Sequence, residues 1–438
     1  MKTDWETIYN RFDPEEPVPF AHHEWRVRRR YSPLEQLNPQ LNRPFGDKRF
    51  VIIGTVGTGK STELLALAES RIERDFVVVV DLWSFFDRLG DPSALDHIQP
   101  WEAIFLTGIH IYRAAMERGH TWSSERTDAL QKARQAFEPA EASSIDIFKL
   151  AQAITVVVGG ALGGVATPIA TGLSKLAAVG KWTVQVGRRA KVQEQDEKVQ
   201  TLLNAVNALL GDLNAQGKRV ACFIDGLDRV RALDTVEHLF TESTLLGHLN
   251  CATVMTGPIL IRREGLGGAL RQFKVQVLSN VPVLDREAPL SGVTTNGSHF
   301  FRKAWSARTQ DGDLSHAIPE PLLDQLAWAS GGRARNFMRM IREVVQESYS
   351  AQLDVTTQDI IEAVIDQQRR DLEMGINLGH LELLKKVVLN KGQLPEDERI
   401  LDLLKRFWLL PYPNESEWYY PNPLLLLVKL KDALNTVG

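Results

Sequence analysis

The stretch that most constrains this chain is Gly54-Thr55-Val56-Gly57-Thr58-Gly59-Lys60-Ser61-Thr62, which matches the phosphate-loop pattern G-x-x-x-x-G-K-[ST] at every fixed position. Its flanks agree with it. The apolar run Arg49-Phe50-Val51-Ile52-Ile53 predicts a buried strand, and Glu63-Leu64-Leu65-Ala66-Leu67-Ala68-Glu69 predicts a helix. Glycine lets backbone N–H groups turn towards phosphate oxygens without a Cβ in the way. The helix start adds free N–H donors and partial positive charge. In that setting Gly54, Gly57, Thr58, Gly59 and Thr62 form the cradle, Lys60 reaches the terminal phosphates, and the Ser61 hydroxyl holds Mg²⁺.

The remaining apolar runs predict the rest of an α/β core. Phe76-Val77-Val78-Val79-Val80-Asp81-Leu82 is continuous rather than alternating, as in a parallel sheet covered on both faces. Residues 100 to 118 and 192 to 215 carry apolar positions at helical spacing. Arg219-Val220-Ala221-Cys222-Phe223-Ile224 is a third strand, and Asp225 at its end is placed to accept from Mg²⁺-bound water and to steady Ser61. Hydrolysis also needs a group that orients the attacking water. Gly226 follows Asp225, and the nearest carboxylate is Asp228, which either takes that role or pairs with Arg229 and leaves hydrolysis slow. Cys251-Ala252-Thr253-Val254-Met255-Thr256-Gly257-Pro258 is a fourth strand, and Thr256 at its end either senses the γ-phosphate or caps the next turn. Arg262, Arg263 and Arg271 are candidates for an arginine finger, and the run from Lys274 to Val283 alternates as a fifth strand.

With 438 residues the chain is long enough for two or three domains. A net charge of −4 gives no global attraction to nucleic acid or an anionic membrane, so any such claim needs a local patch. The cysteines, Cys222 and Cys251, lie in apolar strand-like runs, which predicts small buried hydrophobes in a reducing cytoplasm rather than a disulfide framework. The segment Met1-Lys2-Thr3-Asp4-Trp5-Glu6 lacks a signal peptide's apolar core. Residues 1 to 47 read as an arm with a proline-punctuated stretch from Asp13 to Pro19, followed by a basic run holding Arg26, Arg28, Arg29 and Arg30. That run suits a structural or base-flanking role, with phosphate or nucleic-acid contact as the alternative. Residues 140 to 190 are rich in alanine and glycine, and from Ile154 to Gly180 the one charge is Lys175. Few leucines and the interrupting Pro168 favour an insertion packed on its own domain or a neighbour over a membrane span.

Residues 296 to 316 are polar and read as a loop. A helix through Pro321-Leu322-Leu323-Asp324-Gln325-Leu326-Ala327-Trp328-Ala329 then stops at Ser330-Gly331-Gly332, and a new helix starts at Arg335, so that Arg333 or Arg335 can reach the γ-phosphate from a helical lid. Helices over about 357 to 370, 379 to 390 and 395 to 407, then a hairpin turning at Pro413-Asn414-Glu415-Ser416, have the order of a winged helix. Its third helix mixes Glu396, Asp397, Glu398 and Asp402 with Arg399, Lys405 and Arg406, a poor face for phosphate contact.

Together, the loop at 54 to 62, Phe223-Ile224-Asp225-Gly226-Leu227-Asp228-Arg229, Thr256, Ser330-Gly331-Gly332-Arg333-Ala334-Arg335 and the C-terminal hairpin resemble the AAA+/STAND group of P-loop ATPases. The branch with an origin-recognition-like core, lid and winged helix, which includes many bacterial conflict and antiphage ATPases, is the best match. The resemblance implies an α/β fold with a P-loop NTPase parallel sheet, a helical lid and a C-terminal winged-helix domain. It implies an N-terminal arm at 1–47, a core at 48–290 with the insertion at about 140–190, a lid at 291–352 and a winged helix at 353–438. It further implies ATP and Mg²⁺ as cofactors, with Lys60, Asp225, Asp228, Thr256 and Arg335 as the catalytic set and Ser61 and Asp225 at the metal. The expected protein is a nucleotide-controlled switch, a homo-oligomer acting with a separate effector or sensor protein. Related ATPases often carry glutamate where Gly226 stands, which puts fast turnover in question. Two other readings stand beside this one: a DNA-binding loader or transposition-type regulator, and a membrane-associated ATPase.

Overall fold

The computed structural model describes residues 3–29, 32–88, 90–137, 193–262, 270, 272–289, 291–390, 392–413 and 417–431. The alanine- and glycine-rich insertion, Arg263 and Arg271, and the side chain of Arg262 lie outside the described residues. The chain divides into two compact units, one of residues 33–54 and 63–277 and the other of residues 1–32, 55–62 and 278–438.

The first of these units is built on a five-stranded sheet of β1 (Arg49–Gly54), β2 (Phe76–Asp81), β3 (Val220–Asp225), β4 (Ala252–Pro258) and β5 (Lys274–Val277). The strands run in the order β2-β3-β4-β1-β5 and every pairing is parallel. The apolar runs of β1 to β4 are buried almost throughout, as two covered faces require. The register fixes the functional edge. Asp225 lies opposite Asp81, Ile224 opposite Met255, and Ile52 opposite Thr256. Strands β1, β3 and β4 therefore end together, with Gly54, Asp225 and Thr256 at one margin of the sheet.

The predicted fifth strand is shorter than its alternating pattern suggested, because β5 ends at Val277. It pairs on one side with β1 alone, and its first two residues are exposed, so it gains little from continuing. The helices Pro100–Glu117 and Glu197–Ala215 pack face to face. A Cβ on Gly108 would stand 2.6 Å from a Val206 methyl carbon, so this glycine sets how closely the two approach.

In the other unit, Trp5, Ile8 and Phe12 of the helix Trp5–Arg11 and its cap join a core with Phe301, Trp305 and Phe337. The expected loop at 296–316 is instead largely helical, over Thr295–Thr309. Thr294 caps it, its hydroxyl accepting from Gly297 N–H at 3.1 Å, and Phe301, Ala304, Trp305 and Arg308 bury one face. Gly297 reads as a breaker in the sequence, yet a Cβ there would meet Val283 at 2.9 Å, so the helix lies close against that strand-like segment. The helices Glu320–Ala329 and Ala334–Ser350 follow.

The helices Gln358–Glu373, Leu378–Leu389 and Ile400–Lys405 then lead into an antiparallel pair, β6 (Leu409–Tyr412) and β7 (Trp418–Pro421), in the winged-helix order. The third helix is shorter than expected because Asp397 takes the backbone N–H and guanidinium of Arg399 in a local turn ahead of it. Among the described residues no helix is long and apolar enough to cross a membrane.

Candidate functional site

The phosphate loop leaves β1 at Gly54 and enters the helix Lys60–Glu69. Gly57 and Gly59 have φ of 89° and 97°, conformations that L side chains avoid. Thr58 is fully buried, and its hydroxyl donates to the Thr55 carbonyl at 3.0 Å. The Lys60 ammonium, 2% exposed, donates to the same carbonyl at 2.9 Å. The lysine thus lies along the inside of the loop, held by the chain it serves.

Three arginines fasten the loop from outside, all within the same compact unit. Arg333 donates its Nη2 to Val56 O at 2.9 Å, and its guanidinium stacks on the Phe407 ring with 3.4 Å to the centroid. Arg335 donates its backbone N–H to Gly57 O at 3.1 Å. Arg29 donates its Nη2 to Thr58 O at 2.5 Å. The missing side chains make this possible: a Cβ on Gly57 would meet Arg335 Cβ at 2.9 Å, and one on Gly59 would meet Arg29 Nη2 at 3.0 Å.

The positions of Arg333 and Arg335 follow from the turn between two helices. Gly331 and Gly332 have φ of 62° and 77°, and the Ser330 hydroxyl accepts from Gly332 N–H at 3.1 Å. This ends one helix and makes Arg333 the N-cap residue of the next. Burial, with the charges of Arg335 and Arg339 nearby, pulls the Arg333 pKa down to about 9, which still leaves it cationic at neutral pH.

The arm supplies counter-charges and anchors. Arg335 Nε donates to Pro14 O at 3.0 Å, and Glu15 stands 3.6 Å from both Arg335 and Arg339. Asp13 pairs with Arg342 at 3.0 Å, and Val18 N–H donates to the Thr62 hydroxyl at 3.3 Å. Of the basic run, Arg29 braces the loop, while Arg26 is half-buried and Arg28 is exposed. Arg30 and Tyr31 lie outside the described residues.

A second cluster stands at the margin of the sheet. The Asp225 carboxylate accepts from Gly226 N–H and from the Thr256 hydroxyl, both at 2.9 Å. The same hydroxyl lies 3.4 Å from Asp228 Oδ1, so Asp225, Asp228 and Thr256 meet as a group. Gly226 has φ of 93°, and a Cβ there would stand 2.6 Å from the Trp83 backbone nitrogen. No residue with a side chain fits that position unstrained. The turn Leu227–Arg229 then sets Asp228, with the Arg229 guanidinium over the Trp83 ring.

Two residues near the loop escaped the sequence reading. Arg29 was one of several arginines with nothing to single it out. Asn280 is 1% exposed, its Oδ1 accepts from the Thr55 hydroxyl at 3.4 Å, and its Nδ2 has no hydrogen-bond partner among the described residues. Nothing in Ser279-Asn280-Val281-Pro282 marks it in advance. Its unsatisfied donor, the positive-φ glycines, the buried ammonium and the arginines suit an anionic, acceptor-rich ligand such as a nucleoside triphosphate. Among the described residues no group of three or more histidines, cysteines and carboxylates could hold a metal ion.

A glycine loop in this geometry, between a strand of a parallel sheet and a helix, decides the fold. This is an α/β P-loop fold. No protein-family profile and no curated protein matches the chain. Solved structures do. The ORC2 protein of Aeropyrum pernix, in ADPNP and ADP complexes, is 13% identical with a TM-score of 0.46, covering 98% of each chain. The Cdc6p protein of Pyrobaculum aerophilum is 13% identical with a TM-score of 0.39, also covering 98% of each. The Drosophila ORC bound to DNA is 10% identical with a TM-score of 0.38, covering 100% of this chain and 92% of that one. At these identities the likeness is one of fold alone.

Proposed function

We propose that this chain is an ATP-binding switch that hydrolyses ATP and couples nucleotide state to the packing of its C-terminal half. The observation that carries the reading is the direct bonding of the helix Ala334–Ser350 to the phosphate loop, through Arg335 N–H to Gly57 O and Arg333 to Val56 O. A ligand that reshapes the loop must move or release those bonds. Lys60 and the loop amides would hold the phosphates, Ser61 and Asp225 the Mg²⁺, and Arg335 the γ-phosphate. β3 and β4 bring Asp225, Thr256 and Asp228 together at the margin where β1 ends at Gly54. Asp228 then orients the attacking water, with Thr256 as its hydrogen-bonding neighbour. In this reading the protein works as a homo-oligomer with a separate effector or sensor.

The DNA-loader reading has less support. On the third C-terminal helix and its lead-in, Arg399 is bound to Asp397 at 2.6 Å and Arg406 to Asp402 at 2.9 Å, so these cations are already neutralised.

Hydrogen exchange tests the coupling. With Mg²⁺ and a slowly hydrolysed ATP analogue, exchange at the first turn of Ala334–Ser350 should change relative to ADP, and Lys60→Ala should remove the difference. Identical exchange in both nucleotides, with binding confirmed in the same samples, would refute the switch.

A further inference from the structure

The chain's two cysteines, 29 positions apart, sit together in the sheet. Cys222 Sγ in β3 and Cys251 Sγ, just ahead of β4, are 3.5 Å apart, and both are free thiols. Register explains the meeting. Cys222 lies opposite Thr253, and Cys251, two residues earlier, points to the same face as Thr253. Cys222 is buried, whereas Cys251 is partly exposed. The Thr253 hydroxyl lies 3.7 Å from the Cys251 sulfur. The Cys222 thiol, that hydroxyl and the Arg49 charge hold the Cys251 thiol below its ordinary value. Burial and the partner sulfur push Cys222 up. The two sulfurs are thus in contact, Cys251 at the partly exposed residue and Cys222 at the buried one.

We infer that Cys251 and Cys222 form a peroxide-sensitive dithiol, with Cys251 as the attacking sulfur and Cys222 as the resolving one. The substrate class is a hydroperoxide. The Cys251 thiolate attacks the distal oxygen, an S–O bond forms, the O–O bond breaks, and the leaving alkoxide takes a proton to become an alcohol. Cys222 sulfur then attacks the Cys251 sulfenic sulfur. The S–S bond forms, hydroxide leaves with the Cys222 proton as water, and the thiols have lost the two electrons the peroxide gained. The bridge would clamp β3 to β4 at the end of the ladder remote from Asp225 and Thr256.

The test treats the full chain with hydrogen peroxide, then counts thiols after denaturation and maps peptides. The expected result is a fall from two titratable thiols to none, a peptide linking Cys222 to Cys251, a protein that remains monomeric on a non-reducing gel, and full reversal by dithiothreitol. In Cys222→Ser, Cys251 should stop at a sulfenic acid that dimedone traps. In Cys251→Ser, whose change is at the more exposed position, Cys222 should keep its thiol under the same dose. The proposal is overturned if both wild-type thiols survive, if they are lost without the linked peptide, or if the bridge forms between molecules.

Discussion

At Gly226 the backbone admits only glycine. Its φ of 93° and the Trp83 backbone nitrogen, 2.6 Å from where a Cβ would go, exclude a side chain. Gly226→Glu, which writes in the expected carboxylate, should therefore lower stability by about 1–3 kcal/mol and not raise turnover. Chemical denaturation beside a phosphate-release assay checks this, and faster turnover in a stable variant would count against the steric account. Asp228 is the carboxylate that remains. Asp228→Ala should lower kcat by about 100-fold while changing Mg²⁺-ATP affinity by no more than about 3-fold, as loss of a water-orienting group does. Steady-state kinetics with direct binding separates the two. An unchanged kcat would return Asp228 to a structural role.

At the scale of elements, the helix Pro100–Glu117 makes a prediction of its own. It buries His110, which burial holds down to about 4 and whose Nδ1 lies 2.7 Å from Leu106 O. Unfolded, this histidine titrates near 6.5, so between pH 6.5 and 4 the unfolded chain binds the proton that the folded chain refuses. Its contribution to stability is present above that window and is lost as pH falls through it, a loss of about 3 kcal/mol at most. Urea denaturation of His110→Gln should show a flatter fall between those two pH values than wild type. The Arg333 contact is also an element-scale device, since it ties Val56 O to Phe407 ahead of β6. Arg333→Met keeps the bulk and removes both the donor and the charge. It should weaken the nucleotide-dependent exchange difference in Ala334–Ser350 without abolishing nucleotide binding.

What the sequence disclosed follows the strength of its local signals. Long apolar runs and the glycine loop placed β1 to β4, because a covered parallel strand has no polar face to blur its pattern. The stretch 296–316 reads as loop because it is polar and glycine-bearing, whereas here Thr294 caps a helix and Gly297 lets it lie close to Val283. In the candidate site, the loop's fixed spacing and the aspartate that ends β3 are legible in the sequence. Asn280 and Arg29 are not, because their roles come from contacts across 225 and 29 positions of sequence.

At the scale of the whole molecule, the division into two compact units cuts the chain on either side of the phosphate loop. Residues 55–62 group with the N-terminal arm and the C-terminal half, while the strand before them belongs to the sheet. The loop follows directly on β1 and is hydrogen-bonded to the helix Ala334–Ser350 through Arg335 N–H and Gly57 O, the bond on which the proposed switch rests. The loop is proposed to bind Mg²⁺-ATP. Isothermal titration of the full chain with Mg²⁺-ATP, wild type beside Lys60→Ala, tests it most directly. One site per chain is expected, with a loss of affinity of about 100-fold in the variant, the scale of one buried charge-assisted contact. No binding by folded wild-type protein, or equal binding by both, would contradict it.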